Sequence, residues 1–583
     1  MKVVLTTLNA KYIHTSLALR WLYVANKDRF DINLREYVIK EDIHKIANEL
    51  LAVNPDVIGI SISIWNVSKS EALIYLLKQL KPNIILIVGG PEVSYEPEHF
   101  LHHWPIDYVI SGEGEFVLGE LLYAIQTGED TAIESVSSQQ SISNIQAKAD
   151  ISQLITLPSP YLLEEDHTDR KNRLVYFETS RGCPYQCQYC LSSLETGVRY
   201  FPQSYIGQNL EALIQQGAKQ IKFLDRTFNL NQKHTHFVFN FLIQKHQPGI
   251  SCQFEIYADL LDNKTISHLN NRLPQNYFRF EIGIQSTYEP TNKEVKRKQN
   301  FTLLAENIQK LMAGGKIDLH LDLIAGLPYE TFDRFRQSFN DVFHLNAKEV
   351  QLGFLKLLRG TALRQNAGKY GYEYDQHAPY EIRYNDDISA EELNRIHDAE
   401  HALEKYWNSG KFKRTMQILF EHHYKDRYFE LFDEIGQHYQ KQQLAHHGYQ
   451  LEDVFLNLHH FLLSKKIDLF KELQTDYYHC FRIRPHGFWK NTIDKKQRKQ
   501  LLYQIGNDKL FLKKYNLTRK IIEKQAAIDD LGANRYQLTI FCSDGSRENP
   551  LFIQYDYKNH SNQESFPIEN QQNSTSISRR PSF

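Results

Sequence analysis

The sequence predicts an α/β protein in three parts: a doubly wound parallel domain, a partial barrel of six β/α units, and a mainly helical α+β domain. Three observations predict it. Short, almost unbroken apolar runs, the pattern of strands buried on both faces, recur along the chain with helical spacing between them. They fall into two series separated by a polar stretch. After about Tyr370 the runs give way to helical periodicity rich in His, Tyr and Phe.

The first series is Val3–Leu8, Ile32–Ile39, Val57–Ile64, Ile84–Val88 and Tyr108–Ser111. Thr15 can cap a helix over Ser16–Ala25, and Ser68–Leu80 has helical spacing. A further helix follows Gly112-Glu113-Gly114 and runs to about Ile125. Sheets of this kind bind ligands beyond the carboxyl ends of their strands, at the switch point. Residues 127–170 are polar and aperiodic, contain Pro158 and Pro160, and read as a linker. The second series is Leu174–Thr179, Gln220–Leu224, Cys252–Ile256, Phe278–Ile284, His320–Ile324 and Glu349–Leu355. Its chemistry belongs at the strand carboxyl ends. Residues 389–475 are helical, Ser389 with Glu391 and Glu392 marking a helix start, and 534–557 look like strands. The tail is too polar to pack and reads as disordered. The expected boundaries are 1–126, 127–170 (linker), 171–375, 376–557 and 558–583 (tail).

Composition narrows the classes. With 42% hydrophobic and 24% charged residues in 583, the chain is neither disordered nor fibrous. A net charge of -2 argues against a surface built throughout for polyanions. Charge is uneven, however: residues 401–583 are net +7 and residues 1–400 net -9, and 481–520 alone are net +10. That segment reads as a solvated helical face, with an anionic partner as the alternative. No apolar run reaches the roughly 18 residues of a membrane helix. The start, MKVVLTTLNAKYIHTS, lacks the apolar core and cleavage site of a signal peptide, so the expected location is cytoplasmic. Six cysteines are too few for a disulfide scaffold, and three of them lie within eight residues. This suggests metal ligation in a reducing compartment.

Those three, Cys183, Cys187 and Cys190, stand in the run ETSRGCPYQCQYC with C-x3-C-x2-C spacing, directly after a strand. Three thiolates on one short loop can hold three irons of a four-iron cluster and leave the fourth open. Zinc would ask for a second ligand pair, and Cys252, Cys480 and Cys542 are isolated in sequence.

On this loop the chain resembles the radical S-adenosylmethionine (SAM) superfamily. The resemblance implies a 4Fe-4S cluster on Cys183, Cys187 and Cys190 that reductively cleaves SAM to a 5′-deoxyadenosyl radical. It implies that Tyr189 lies against the adenine. Asp225 ends the second strand, where relatives carry a Gly-Gly-Glu-like stretch for the SAM amino group. Glu255 on the third strand, Gln285 and Ser286 after the fourth, and Ala325 within Asp322–Pro328 are the further SAM candidates by the same resemblance.

Residues 8–16 (LNAKYIHTS), 59–66 (GISISIWN) and 88–92 (VGGPE) resemble the flavodoxin-like cobalamin-binding domain found before such barrels. This implies that Ser61, Ser63, Gly89 and Gly90 make room for the nucleotide tail. The D-x-H-x-x-G element that ligates cobalt elsewhere is missing, and His14 is out of register with it, so no imidazole is expected on cobalt. The carboxyl-terminal part looks like an uncharacterised domain of this class. His479, Cys480, Arg482, Arg484 and Arg519 are its candidates for substrate contact, although Cys480 also suits a buried small hydrophobe. The expected function is methyl transfer to an unactivated centre, using SAM, a 4Fe-4S cluster and cobalamin. The expected substrate is a small molecule, the reducing partner a flavodoxin or ferredoxin, and no membrane is involved. The alternatives are a radical cyclisation or oxidative rearrangement, a cobalamin or redox sensor, and a nucleic-acid-modifying enzyme using Lys495, Lys496, Arg498 and Lys499.

Overall fold

The computed structural model describes residues 1–195, 197–481, 493–540 and 551–557. The apolar runs of the first series pair side by side. β1 (Lys2–Asn9), β2 (Asp31–Val38), β3 (Val57–Ser61), β4 (Ile85–Gly89) and β5 (Tyr108–Ile110) form a parallel sheet in the order 2-1-3-4-5. Parallel pairing needs crossovers, and helices Leu17–Asn26, Ile43–Leu51, Val67–Leu80 and Pro97–His103 supply the four, while helix Val117–Thr127 follows β5. Val4, Ile58, Leu86 and Val109 pack one face of the sheet, and Val3, Leu5, Val57 and Ile87 the other. Ser16, not Thr15, caps the first helix by accepting from the Leu19 N–H. The Thr15 hydroxyl instead donates to the Leu174 carbonyl.

The stretch read as a linker is built into the fold. β6 (Val136–Ser137) adds antiparallel to β5 and closes that edge of the sheet. The Ala147 N–H then donates to the Ser111 carbonyl and its carbonyl accepts from the Glu113 N–H, and Asp166 takes two bonds from the Arg20 guanidinium, at 2.8 and 2.6 Å.

The second series forms another parallel sheet. It holds β7 (Leu174–Phe177), β10 (Gln220–Phe223), β11 (Ser251–Glu255), β12 (Phe278–Gln285), β13 (Asp318–Ala325) and β14 (Glu349–Phe354), each paired with the next. A short antiparallel hairpin, β8 (Ser180–Arg181) with β9 (Arg199–Tyr200), interrupts it after β7. Alternation is strict along β12: Phe278, Phe280, Ile282 and Ile284 are buried, while Arg279, Glu281, Gly283 and Gln285 are half-buried. Phe223, Phe228, Phe239, Phe254 and Phe278 stack into one aromatic core, with neighbouring ring centroids 4.4–5.4 Å apart. Full burial of such a ring contributes roughly 1.5–3 kcal/mol. β15 (Glu373–Tyr374) and β16 (Ile382–Tyr384) pair antiparallel beyond the barrel. Ser389 and Glu392 cap each other at the start of helix Ala390–Leu403, as the sequence suggested.

These elements belong to one unit, Met1–Leu403 with Asp426–Gly436. The second unit, Glu404–Lys425 with Gln437–Phe583, is helical through Cys480. Helices Lys495–Asn507, Lys509–Lys514 and Arg519–Gln525 then pack on an antiparallel sheet of β17 (Ala526–Gly532), β18 (Arg535–Ile540) and β19 (Leu551–Asp556) around Leu501, Ile505, Ile522, Leu538 and Ile553. β17 went unread because its second half, Asp529 to Gly532, looks like a turn in sequence. Lys495, Lys496, Arg498 and Lys499 are exposed. Arg519 pairs with Glu523 at 2.8 Å. Arg482, Arg484, Cys542 and the segment 558–583 lie outside the described residues. Among the described residues no helix is long and apolar enough to cross a membrane.

Candidate functional site

Two cavities lie at the carboxyl ends of the two parallel sheets. The first, of about 280 Å³, is lined by Cys183, Cys187 and Cys190 together with Tyr189, Glu255, Gln285, Tyr257 and Arg297. Gly182 starts the cysteine loop at φ +91°, and a Cβ there would strike the Gly197 carbonyl, so only glycine makes this turn. Gln188 then pins the loop at three points. Its N–H donates to the Val295 carbonyl, its carbonyl accepts from Leu363, and its side chain donates to the Glu294 carbonyl.

Arg297 is the electrostatic centre of this cavity. It is 8% exposed, and its guanidinium donates to the hydroxyls of Tyr257 (3.0 Å) and Tyr189 (3.2 Å), to Gln299 Oε1 and to the Gly283 carbonyl. None of these partners is a carboxylate. A buried cation so placed asks for negative charge nearby, and three thiols share its cavity. Among the described residues no three His, Cys, Asp or Glu side chains are gathered to hold a single metal ion. A cluster asks for something different, because it spreads its thiolates over separate irons. The donor set fits that group. Gln285, at φ +69°, adds a buried Oε1 that has no hydrogen-bond partner.

Four sequence candidates are held elsewhere. The Asp225 carboxylate accepts from the Thr179 N–H (3.0 Å), the Thr179 hydroxyl (2.6 Å) and the Ser180 hydroxyl (2.5 Å). Burial pushes it up to about 6 against these bonds. The Ser286 hydroxyl donates to buried Glu330 at 2.5 Å, Ala325 is wholly buried, and the Ser63 N–H donates to Asn66 Oδ1. These residues hold the strand ends in place and line neither cavity.

The second cavity, of about 350 Å³, sits over the first sheet and is lined by Ser61, Gly89 and Gly90 with Leu5, Leu19, Trp21, Leu118 and Glu115. Gly90 adopts φ +104°, and a Cβ there would lie 2.5 Å from the Ile62 carbonyl. Its walls are largely apolar, and buried Glu115 keeps one oxygen, Oε2, without a partner. Both features fit a large ligand with an apolar body and amide or hydroxyl arms. His14 is not part of this lining: its Nδ1 meets the Tyr176 hydroxyl at 2.8 Å.

A buried ion cluster lines the second cavity. Arg181 bridges Glu113 (3.0 Å), Glu115 (2.8 Å) and Glu178 (2.8 Å), and Arg199 adds a second cation on Glu113. The two cations hold Glu113 below the usual carboxylate range, while burial drives Glu115 up. Sequence reasoning passed over Arg297, which sits in a basic run that reads as a solvated helix end. It also gave the Glu113-Gly114-Glu115 turn no charge partner, because the partner is 66 residues or more away in sequence.

Residues 3–122 match the family described as B12 binding domain, residues 177–342 the Radical SAM superfamily, and residues 368–544 a protein of unknown function, DUF4080. The chain joins a B12-binding domain to a radical SAM domain. The chain is 25% identical over 324 residues to the cobalamin-dependent radical SAM methyltransferase TokK of Streptomyces tokunonensis, covering 52% of this chain and 47% of that protein. An uncharacterized methyltransferase of Pyrococcus horikoshii is 30% identical over 236 residues, 37% of this chain and 50% of its own length. The chain therefore spans about half the length of these curated relatives. Among solved structures, the cobalamin-dependent SAM radical enzyme OxsB with aqua-cobalamin superposes with TM-score 0.58 at 16% identity, over 88% of this chain and 79% of that one. The radical SAM methyltransferase TsrM of Kitasatospora setae gives 0.54 at 17%, over 65% and 78%. At these identities the likeness establishes the fold. The first cavity belongs to the radical SAM domain. The second is formed on the B12-binding domain and closed by Glu178, Arg181, Leu224 and Arg226 of the radical SAM domain.

Glu330 provides a pH signature. It accepts the Ser286 and Ser338 hydroxyls, has Oε2 unpartnered, and is pushed up to about 7 by burial. An acid raised in the fold favours the native state when protonated. Its contribution is complete below its ordinary value near 4.5 and is lost as pH rises through about 7. Melting temperatures measured between those limits should fall less with pH in Glu330→Gln than in the parent protein.

Proposed function

We propose that the chain is an enzyme that binds a 4Fe-4S cluster and SAM in the radical SAM cavity and cobalamin in the B12-domain cavity, and transfers a methyl group to a small molecule. The observation that supports this best is the pairing of a three-thiol cavity around a buried guanidinium with an apolar cavity beside it. When bound, the cluster supplies the electron that cleaves SAM, and the corrinoid supplies the methyl carrier. The chain's own residues position and shield these groups. In this reading Cys183, Cys187 and Cys190 hold the cluster, and Arg297 balances its charge. Tyr189, Glu255 and Gln285 meet SAM, while Asp225, Ser286 and Ala325 stiffen the strand ends behind them. Ser61, Gly89 and Gly90 admit the corrinoid tail, with Ser63 supporting their loop. The thiols fit a reducing, cytoplasmic setting, and a flavodoxin or ferredoxin suits the need for single electrons.

The deciding experiment is anaerobic reconstitution with iron, sulfide and hydroxocobalamin, followed by gel filtration and a visible spectrum. Dithionite and SAM are then added and 5′-deoxyadenosine is measured. Co-elution of cluster and corrinoid with SAM cleavage is the expected result. A protein that loads a cluster but no corrinoid would remove methyl transfer by this route.

A further inference from the structure

We propose that Arg226 anchors an anionic group of the substrate, a carboxylate or a phosphate, where the two cavities meet. The proposal rests on the reading above, in which the substrate lies between them. Among the described residues, Arg226 is the one that lines both cavities. Its guanidinium makes no hydrogen bond or ion pair with another described residue, so all five donors are open. The other arginines around the cavities are occupied. Arg181 and Arg199 are held by glutamates, and Arg297 by two tyrosines, a glutamine and a carbonyl. Glu195 lines one cavity and Glu255 the other, and neither comes within ion-pair distance of Arg226.

The open arginine stands on a rigid base. Asp225 before it is locked by three hydrogen bonds, Thr227 after it is buried, and Phe228 sits in the aromatic core. Such a base fixes the backbone of the turn at the junction, and the exposed side chain reaches the wall of both cavities from it. A planar fork with paired donors matches a carboxylate or phosphate in bidentate fashion. A methyl acceptor has to present one atom to both cavities, and an anchor on their shared wall supplies that registration.

The test uses the anaerobically reconstituted full chain and compares it with Arg226→Met and Arg226→Lys. Labelled inorganic phosphate and labelled acetate are the probes, in equilibrium dialysis. The parent protein should bind at least one of them. Arg226→Met should bind about tenfold more weakly, the loss expected for a charged hydrogen-bonded contact, and Arg226→Lys should fall between. Preference for phosphate or acetate in the parent identifies which anion the substrate carries. Equal binding in the parent and Arg226→Met, or no binding of either anion by the parent, overturns the proposal. SAM affinity is measured in the same proteins. A tenfold loss there in Arg226→Met would hand the contact to the SAM carboxylate and overturn the substrate assignment. Formation of 5′-deoxyadenosine by the parent reports on the cofactor reading separately, so failure of that reading is distinguishable from failure of the anchor.

Discussion

Replacing any one of Cys183, Cys187 or Cys190 with alanine is expected to leave protein that cannot retain a four-iron cluster. Iron and sulfide content falls, the broad visible absorption is lost, and SAM cleavage drops by more than about 100-fold. Loss of an outer-shell partner alone costs a metal site about 10–100-fold, and these changes remove a ligand. The buried Cys252 supplies the control. It is wholly buried beneath Tyr277, so Cys252→Ala should keep the cluster and lower only the melting temperature. Equal cluster content in Cys187→Ala and the parent protein would sink the assignment of the loop.

Arg181→Met is expected to be among the most destabilising single changes outside the cysteine loop. It leaves Glu113, Glu115 and Glu178 facing one another, with the Arg199 contact to Glu113 as the remaining ion pair. Removing one partner from a buried ionic cluster costs about 3–5 kcal/mol, chiefly because charge is left without compensation. The loss should shrink at acid pH, where the carboxylates protonate, and should be partly restored by Arg181→Met/Glu115→Gln. Calorimetry at neutral and acid pH measures both. A loss that is the same at both pH values would mean that Arg181 acts through packing alone.

Much of this architecture is legible in the sequence. The central strands β1, β3 and β4 of the first sheet announce themselves because, covered on two faces, they are nearly continuous in Val, Ile and Leu, whereas β12 is read from its alternation. The cysteine loop is legible because its spacing is local. Arg297 and the Arg181 cluster are not, because most of their partners are far away in sequence: Tyr189, Tyr257 and Gly283 for Arg297, and Glu113 and Glu115 for Arg181. Asp225 shows the reverse case. Its position at a strand end suggested a ligand contact, but its neighbours Thr179 and Ser180 consume the carboxylate. Position alone does not tell a group that faces a cavity from one that holds the backbone behind it. Helix Ile43–Leu51 does carry a readable signal, with Ile43, Ile46, Ala47 and Leu50 at helical spacing behind the Asp42 cap, and sequence reasoning passed over it.

The short strand β6 decides whether the first domain can be moved as a module. A fragment ending at residue 126 would keep all five parallel strands and lose the segment that covers β5. Val109 and Ile110 would then offer open backbone groups to any passing chain, the usual route to sheet-to-sheet association. A chimera that borrows this domain must carry residues through Ala149 to keep that edge of the sheet covered. The limit of the portable module is thus set by a strand that contributes nothing to either cavity.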